Sequence, residues 1–253
     1  MKISIITVCW NSELHIKSAM ESVLNQTYDD IEYIIVDGNS KDATVDLIKS
    51  YQDRFGGKMK WISEPDAGLY DAMNKGMQLA TGEVIGILNS DDFFADEHVL
   101  TKIAAGFQQA AVEAVIADIV FINDSQEGKI LRKYSAKKWR PTKFAWGYMP
   151  PHPSFFAKRV LFEKFGGYKT SYKIAADYEL LIRFLLIHRV NYQYIPLTTT
   201  KMRMGGASTK NIQSLMTLNK EILRACKENS IYSNYFMIYS KYLFKPFEFI
   251  FHE

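Results

Sequence analysis

Cysteine is scarce in this chain: two residues in 253, Cys9 and Cys226. One falls in an expected buried strand and the other in an expected late helix, so they form neither a disulfide framework nor a metal set, and a reducing compartment suits them. Charge of one sign is also lacking. Thirty-one Lys and Arg against 28 Asp and Glu leave a net charge of +3, too little to mark a nucleic-acid partner. There is no long uncharged apolar run of the kind a membrane span needs. The apolar run Ile3 to Val8 is too short for a signal peptide and lacks a cleavage site. Internal repeats and low-complexity segments are absent as well. What is abundant is apolar material, 47% of the residues, enough for a sizeable core in one large domain or one and a half.

The chain is organised around Gly82-Glu83-Val84-Ile85-Gly86-Ile87-Leu88-Asn89-Ser90-Asp91-Asp92. An apolar run that stops at adjacent carboxylates reads as a parallel strand whose C-terminal end opens into a site. Two carboxylates side by side repel unless a cation or proton lies between them. Hard oxygen ligands suit Mg²⁺ or Mn²⁺, and such ions suit a diphosphate. The competing reading is that Asp91 and Asp92 cap a helix from Ala95 to Gln108.

Similar units flank it. Strands are expected at Ile3–Val8, Ile31–Val36 and Met59–Ser63, with helices after an Asn11-Ser12 cap, over Thr44–Tyr51 and over Tyr70–Ala80. Strands alternating with helices in units of about 30 residues indicate a Rossmann-like, mostly parallel α/β sheet flanked by helices. Each strand finishes in oxygen-bearing side chains: Asn11, Asp37, Asp66, Asp91. Caps explain each singly; their recurrence defines one rim. Beyond Gln108 the pattern loosens. A fifth strand is expected over Ala114–Ile122, a turn over Asn123–Gly128, a hairpin strand over Lys129–Tyr134 and an irregular loop over Trp139–Pro153. An edge strand over Ser154–Ala157, a helix over Ile174–His188 and a last strand over Val190–Ile195 follow.

Ser4-Ile5-Ile6-Thr7, Gln26-Thr27-Tyr28, Val36-Asp37-Gly38-Asn39-Ser40-Lys41-Asp42-Ala43-Thr44, Ala72-Met73-Asn74-Lys75-Gly76, Ala80-Thr81-Gly82-Glu83 and Asn89-Ser90-Asp91-Asp92 occur in order over residues 3 to 100. Together they resemble the N-terminal half of a family 2 inverting glycosyltransferase with a GT-A fold, and a weaker likeness continues to about residue 210. The resemblance implies a catalytic domain over 1–210, divided into a nucleotide-binding half (1–110) and an acceptor half (111–210), with a helical, aromatic extension over 211–253. It implies a nucleotide-sugar donor, with a UDP-sugar favoured, held by Thr7, Asn11, Asp37, Asp66, Asn74, Lys75, Asn89, Ser90 and Arg203. Asp37 would contact the base and Asp66 the nucleoside. The family's Asp-X-Asp metal motif falls on Asn89-Ser90-Asp91, where the first position is Asn, so Mn²⁺ or Mg²⁺ would rest on Asp91 and Asp92. Met73 replaces an Arg found in many relatives, and Lys75 is the candidate substitute cation, or a solvated helix residue.

In the same family the catalytic base opens a later helix. Ala175-Ala176-Asp177-Tyr178-Glu179 fits, with Asp177 as base and Ala176 in place of a partner Glu; a plain helix cap is the alternative. His152, in Pro151-His152-Pro153-Ser154, resembles a segment beside the acceptor pocket, or is structural. Arg203 faces the leaving diphosphate or a surface carboxylate, and Gly205-Gly206 allow a mobile lid. The aromatic, basic tail 231–251 suits a membrane headgroup interface, or packing on the domain or on a second subunit in a homodimer. Pro246 is expected to break any long helix there. The acceptor would be a glycan or a polyprenyl-linked glycan in polysaccharide biosynthesis, at the cytoplasmic face of the membrane. Two rival functions remain: a sugar nucleotidyltransferase, which should carry a glycine-rich loop where Cys9-Trp10-Asn11-Ser12-Glu13 has none, and a non-catalytic glycan- or membrane-binding module on the same fold.

Overall fold

The computed structural model describes residues 1–123, 129–204 and 212–248. In chain order the strands are β1 (Ile3–Cys9), β2 (Ile31–Asp37), β3 (Met59–Ser63), β4 (Val84–Ile87), β5 (Phe93–Phe94), β6 (Ala114–Asn123), β7 (Lys129–Tyr134), β8 (Phe156–Lys158) and β9 (Tyr192–Arg203). The helices are α1 (Ile16–Leu24), α2 (Thr44–Gln52), α3 (Leu69–Leu79), α4 (Val99–Gly106), α5 (Arg159–Phe165), α6 (Ala176–Ile182), α7 (Ile212–Glu228) and α8 (Tyr235–Glu248). Among the described residues the strands form one sheet in the order β3-β2-β1-β4-β8-β6-β9-β5, with β7 paired to β6.

The first four strands run parallel, as their apolar runs require: β1 and β2 are buried at every residue because helices cover both faces. Side chains along β1 alternate between two cores. Ile6 and Val8 pack with α3 and α6; Ile3, Ile5 and Cys9 pack with α1, α2 and α4. The register aligns Cys9 with Asp37, and Asp37 with Ser63. The carboxyl ends of three neighbouring strands therefore finish level, and the polar residues beyond them share one rim.

The chain departs from expectation in several places. The strand expected at an edge is β8, and it is central: it runs antiparallel to both β4 and β6. Gly86 makes room for it, since a Cβ there would sit 2.3 Å from the Phe156 ring. The last strand extends to Arg203 and pairs in parallel with β6. The helix after Asp92 begins only at Val99, beyond β5, so neither Asp91 nor Asp92 caps it. Asn11 and Ser12 likewise lie ahead of α1, which starts at Ile16. The expected long helix is α6 followed by a wide π turn over Arg183–Ile187. Residues 139–153 contain a 3-10 turn over Pro141–Trp146, and a second one starts at His152. Pro246, expected to break a helix, lies inside α8, whose bounds run to Glu248. The expected turn beyond Asn123 and the glycine pair at 205–206 fall outside the described residues.

Helices α7 and α8 share a core with α6. Ile222, Ala225 and Cys226 of α7 and Ile238 of α8 are buried in the cluster that contains α6. No helix among the described residues is long and apolar enough to cross a membrane.

Candidate active site

The rim begins at Asp37, which is fully buried. Its carboxylate accepts hydrogen bonds from the Ser40 N–H at 3.0 Å, the Ser63 hydroxyl at 2.7 Å and the Ser40 hydroxyl. Ser40 then accepts from the Asn11 N–H at 2.7 Å, and the Asn11 side-chain oxygen accepts from the Lys41 N–H at 2.9 Å. Asn11 has a φ of 48°, a left-handed conformation that asparagine tolerates. This network welds the ends of β1, β2 and β3. Burial first, and then the Asp37 charge, push the neighbouring Cys9 thiol far above its usual range, so it is no nucleophile.

Gly38 lets Asp66 lie against the rim, because a Cβ at position 38 would sit 2.5 Å from Asp66 Oδ2 and 3.4 Å from the Trp10 ring. Trp10 is 67% exposed. An exposed indole beside two strand-end carboxylates offers a flat face to a ring. The residue pattern alone did not mark Trp10; its position directly after an apolar strand was the available signal.

At the end of β4, the Ser90 hydroxyl meets that of Ser12 at 3.0 Å, tying this corner to β1. Asn89 Nδ2 donates to Asp92 Oδ2 at 3.1 Å. Asn89 Oδ1 and Asp92 Oδ1 are both buried, and neither has a hydrogen-bond partner. Burial, and then the charge of Asp91, push the Asp92 carboxyl up to about 8. Asp91 is only partly buried, and Arg203 donates to its backbone oxygen at 2.6 Å while lying over the Phe93 ring. Two adjacent carboxyls and two orphaned oxygens are a donor set that suits a hard divalent cation. Among the described residues, no three His, Cys, Asp or Glu side chains converge to hold a metal by themselves. An ion held by one or two carboxylates, with phosphate and water completing its shell, fits this corner.

Asp177 opens α6, half-buried, with its Oδ1 accepting from the Tyr178 N–H at 2.7 Å. A helix N-terminus favours a charged carboxylate, yet burial outweighs this and raises Asp177 to about 6. The Tyr70 hydroxyl, on the first turn of α3, faces Asp177 and donates to the Ile174 oxygen at 2.5 Å. The Tyr70 ring stacks on Tyr168 at 5.6 Å. A continuous run of contacts, from Asp37 through Gly38, Asp66 and the start of α3 to Tyr70, thus joins the strand-end rim to Asp177.

Four expected site residues have other work. His152 is 7% exposed, and its Nε2 meets the Tyr168 hydroxyl at 2.6 Å; burial lowers its pKa to about 4, so the ring is neutral. It backs Tyr168 rather than lining the opening. Thr7 is fully buried and accepts from the Tyr33 hydroxyl at 3.1 Å, below the rim. Asn74 donates to the Tyr168 oxygen at 2.8 Å and accepts from the Tyr168 N–H at 2.9 Å, which occupies both ends of its amide. Lys75 pairs with Glu64 at 2.8 Å and Asp71 at 3.7 Å, and donates to the Pro65 oxygen, so it clamps the loop carrying Asp66. The resemblance implies donor binding for Asn74 and Lys75; in the structure the side chains of both hold parts of the chain itself.

The profile of "Glycosyl transferase family 2" matches residues 4–166, more than half of the chain. The chain belongs to this family. It is an enzyme of an inverting, nucleotide-sugar-dependent class. A PGL/p-HBAD biosynthesis glycosyltransferase of Mycobacterium bovis is 29% identical over 87% of this chain and 82% of its own. An uncharacterized glycosyltransferase of Nostoc is 34% identical over 70% of this chain and 57% of its own. Among solved structures, S. aureus TarS 1-349 in complex with UDP-GlcNAc superposes with a TM-score of 0.68 at 16% identity, over 89% of this chain and 66% of that one. The mannosyltransferase PcManGT of Pyrobaculum calidifontis, in complex with GDP-Man and Mn²⁺, gives 0.63 at 18% identity, over 88% and 64%. This family 2 chain therefore spans slightly less than two thirds of those solved chains, and at that identity they show a shared GT-A fold.

Proposed function

We propose that this glycosyltransferase moves a sugar from a UDP-sugar to a hydroxyl of a glycan or polyprenyl-linked glycan, with Asp177 as general base. The observation that carries the reading is the carboxyl of Asp177, raised to about 6 at the mouth of a helix that contacts leads back to the nucleotide rim. A base of that strength is mostly ionised at neutral pH and still holds a proton well. The acceptor oxygen attacks the anomeric carbon as the bond from that carbon to the phosphate oxygen breaks. The acceptor proton passes to a carboxylate oxygen of Asp177, and the electron pair leaves with the nucleoside diphosphate. In this reading the base would dock at Trp10 and Asp37 and the ribose at Asp66, which the exposed indole beside both carboxylates supports. Arg203, which lies beside Asp91, would meet diphosphate charge. Asp91 and Asp92 would hold Mn²⁺ or Mg²⁺, which supplies Lewis-acid stabilisation of the leaving group. TarS bound to UDP-GlcNAc supports a UDP donor, and PcManGT bound to GDP-Man and Mn²⁺ supports the metal while keeping a GDP-sugar as the alternative.

Asp177→Asn should abolish sugar transfer while leaving the thermal shift with UDP-GlcNAc plus Mn²⁺ unchanged. Equal loss of both would remove Asp177 from the chemistry. Normal turnover in that variant would show that another group takes the acceptor proton.

The same proposal places the enzyme at the cytoplasmic face of a membrane. Tyr232, Tyr235, Phe236 and Tyr239 are exposed around α8. No Asp or Glu occurs between Lys129 and Lys158, a stretch that contains Arg132, Lys133, Lys137, Lys138, Arg140 and Lys143. Aromatic and basic groups of this kind favour an anionic headgroup layer. Flotation of the full chain with anionic vesicles, lost on replacing Tyr235, Phe236 and Tyr239 by Ser, tests it. Self-association in the absence of lipid would assign those aromatics to a homodimer instead.

A further inference from the structure

The segment that delivers Asp177 is held from outside the half of the chain that carries it. Residues Lys173, Ile174 and Ala175 lead directly into α6, and Ala175 at its N-cap offers no side-chain cap. Their three backbone N–H groups all donate to one carboxylate, that of Glu221 on α7: Lys173 to Oε1 at 2.8 Å, Ile174 to Oε2 at 2.9 Å and Ala175 to Oε2 at 3.0 Å. Glu221 is 9% exposed, so these bonds are shielded from water. The Ile174 oxygen is meanwhile fixed by Tyr70, so one peptide is gripped from both sides.

The rest of α7 grips the same loop. Glu228 accepts from Lys169 and from the Tyr172 hydroxyl, both at 3.0 Å. Arg224 donates to the Ser171 oxygen at 3.1 Å and lies over the Tyr172 ring at 4.3 Å. Among these groups, Glu221 alone bonds the residues that touch the helix carrying the base.

We propose that Glu221 is a positioning residue for Asp177: by binding three consecutive amides it sets the entry angle of α6 and so the place of the base carboxylate. The inference rests on the reading of Asp177 as base. A carboxylate that accepts several backbone N–H groups acts as an external cap, and it does so without contact to substrate. The groups facing Asp177 are the Tyr70 hydroxyl from α3, the buried Tyr168 from the loop after α5 and Glu221 from α7. The Glu221 charge opposes ionisation of Asp177. Loss of that charge acts in a known direction: the Asp177 pKa falls.

The test uses the full chain with Glu221→Gln, Glu221→Ala and Asp177→Asn. Turnover is read as hydrolysis of UDP-GlcNAc and GDP-mannose with Mn²⁺ across pH, and the Asp177 carboxyl is titrated by carbon NMR. Glu221→Gln keeps one acceptor oxygen. It should lower kcat by about tenfold with KM for the donor within about twofold, and Glu221→Ala by about a hundredfold, since small misplacements of a reacting group are costly. In Glu221→Gln the acid limb of the rate profile and the NMR titration of Asp177 should both move to lower pH. A merely structural α7 contact would lower thermal stability and leave kcat and the amide-exchange protection at 173–175 where they are in the parent chain, since charge loss alone moves the titration. A Glu221→Gln protein that is folded, with unchanged amide-exchange protection at 173–175, overturns the proposal. If Asp177→Asn turns over normally, it is the base reading that fails, whatever Glu221→Gln does. The exchange measurement needs no turnover, so it decides the matter even if neither nucleotide sugar is hydrolysed.

Discussion

Asp37 and the Asn89–Asp92 turn occupy the ends of β2 and β4, on either side of β1, and they are finished to different degrees. Asp37 spends its carboxylate entirely within the protein, on Ser40 and Ser63. The β4 corner leaves two buried oxygens without partners and sets a charge beside a carboxyl raised to about 8. Unsatisfied buried polar atoms are rare in folded proteins because each one costs stability. The difference separates two uses of the same residue type. In the proposed reading, the first corner is scaffold for a nucleoside, and the second, costly alone, would become favourable when positive charge arrives.

The largest expected effect lies at the unfinished corner. Asp91→Asn should lower transfer by about a thousandfold, the scale for losing a group that stabilises leaving-group charge. Folding stability should change by less than about 0.5 kcal/mol, because Asp91 is partly exposed. The thermal shift that Mn²⁺ produces in the parent chain should disappear. Asp37→Ala should reverse this pattern. It strips two hydroxyls and an N–H of their acceptor in a buried site, at a cost of roughly 3 kcal/mol in chemical denaturation. If Asp91→Asn proved the more destabilising of the two, the distinction between the corners would be lost.

Both corners were visible in the sequence, but the difference between them was not. Continuous apolar runs ending in Asp or Asn located β1 to β4, and Met59–Ser63 has the expected bounds. Short-range patterning works there because these strands are buried on both faces and joined by amphipathic helices. It works less well beyond Gln108. β8 has three residues, β9 is only half-buried, and their places depend on partners far away in sequence. Tyr70 and Tyr168 show no motif; they matter because α3 and the loop after α5 meet. Asn74 and Lys75 stand in a recognisable motif, but only tertiary contacts reveal that one holds Tyr168 and the other holds the loop of Asp66. A motif records that a position is constrained without stating what constrains it.

A second closed carboxylate extends the comparison to acid. Glu32, on β2, is 4% exposed and receives Lys60 at 2.7 Å, Ser4 at 2.6 Å and the Thr81 N–H at 2.7 Å. Burial alone would raise its pKa; these bonds overcome that and pull it from 4.5 to about 2. A carboxyl whose folded pKa is depressed contributes stability above its unfolded value and loses it as pH falls toward the folded one. Thermal stability should therefore drop between pH 4.5 and about 2. Glu32→Gln should start lower at neutral pH and show a shallower fall across that window.

The smallest effect belongs to Ser63→Ala, which removes one of the bonds to Asp37 and nothing else. Its cost should be about 1 kcal/mol, the net worth of an ordinary buried hydrogen bond, because the Asp37 oxygen it leaves still accepts from the Ser40 N–H. The informative readout is the donor. If Asp37 is scaffold as much as contact, freeing its Oδ2 should loosen the β2–β3 rim and weaken the UDP thermal shift, even though Ser63 itself touches no nucleotide in this reading. If instead UDP binds more tightly to Ser63→Ala, the freed oxygen is being used by the base. Asp37 would then be a recognition group that the parent chain holds partly in reserve, and the two corners would resemble each other more than their hydrogen bonds suggest.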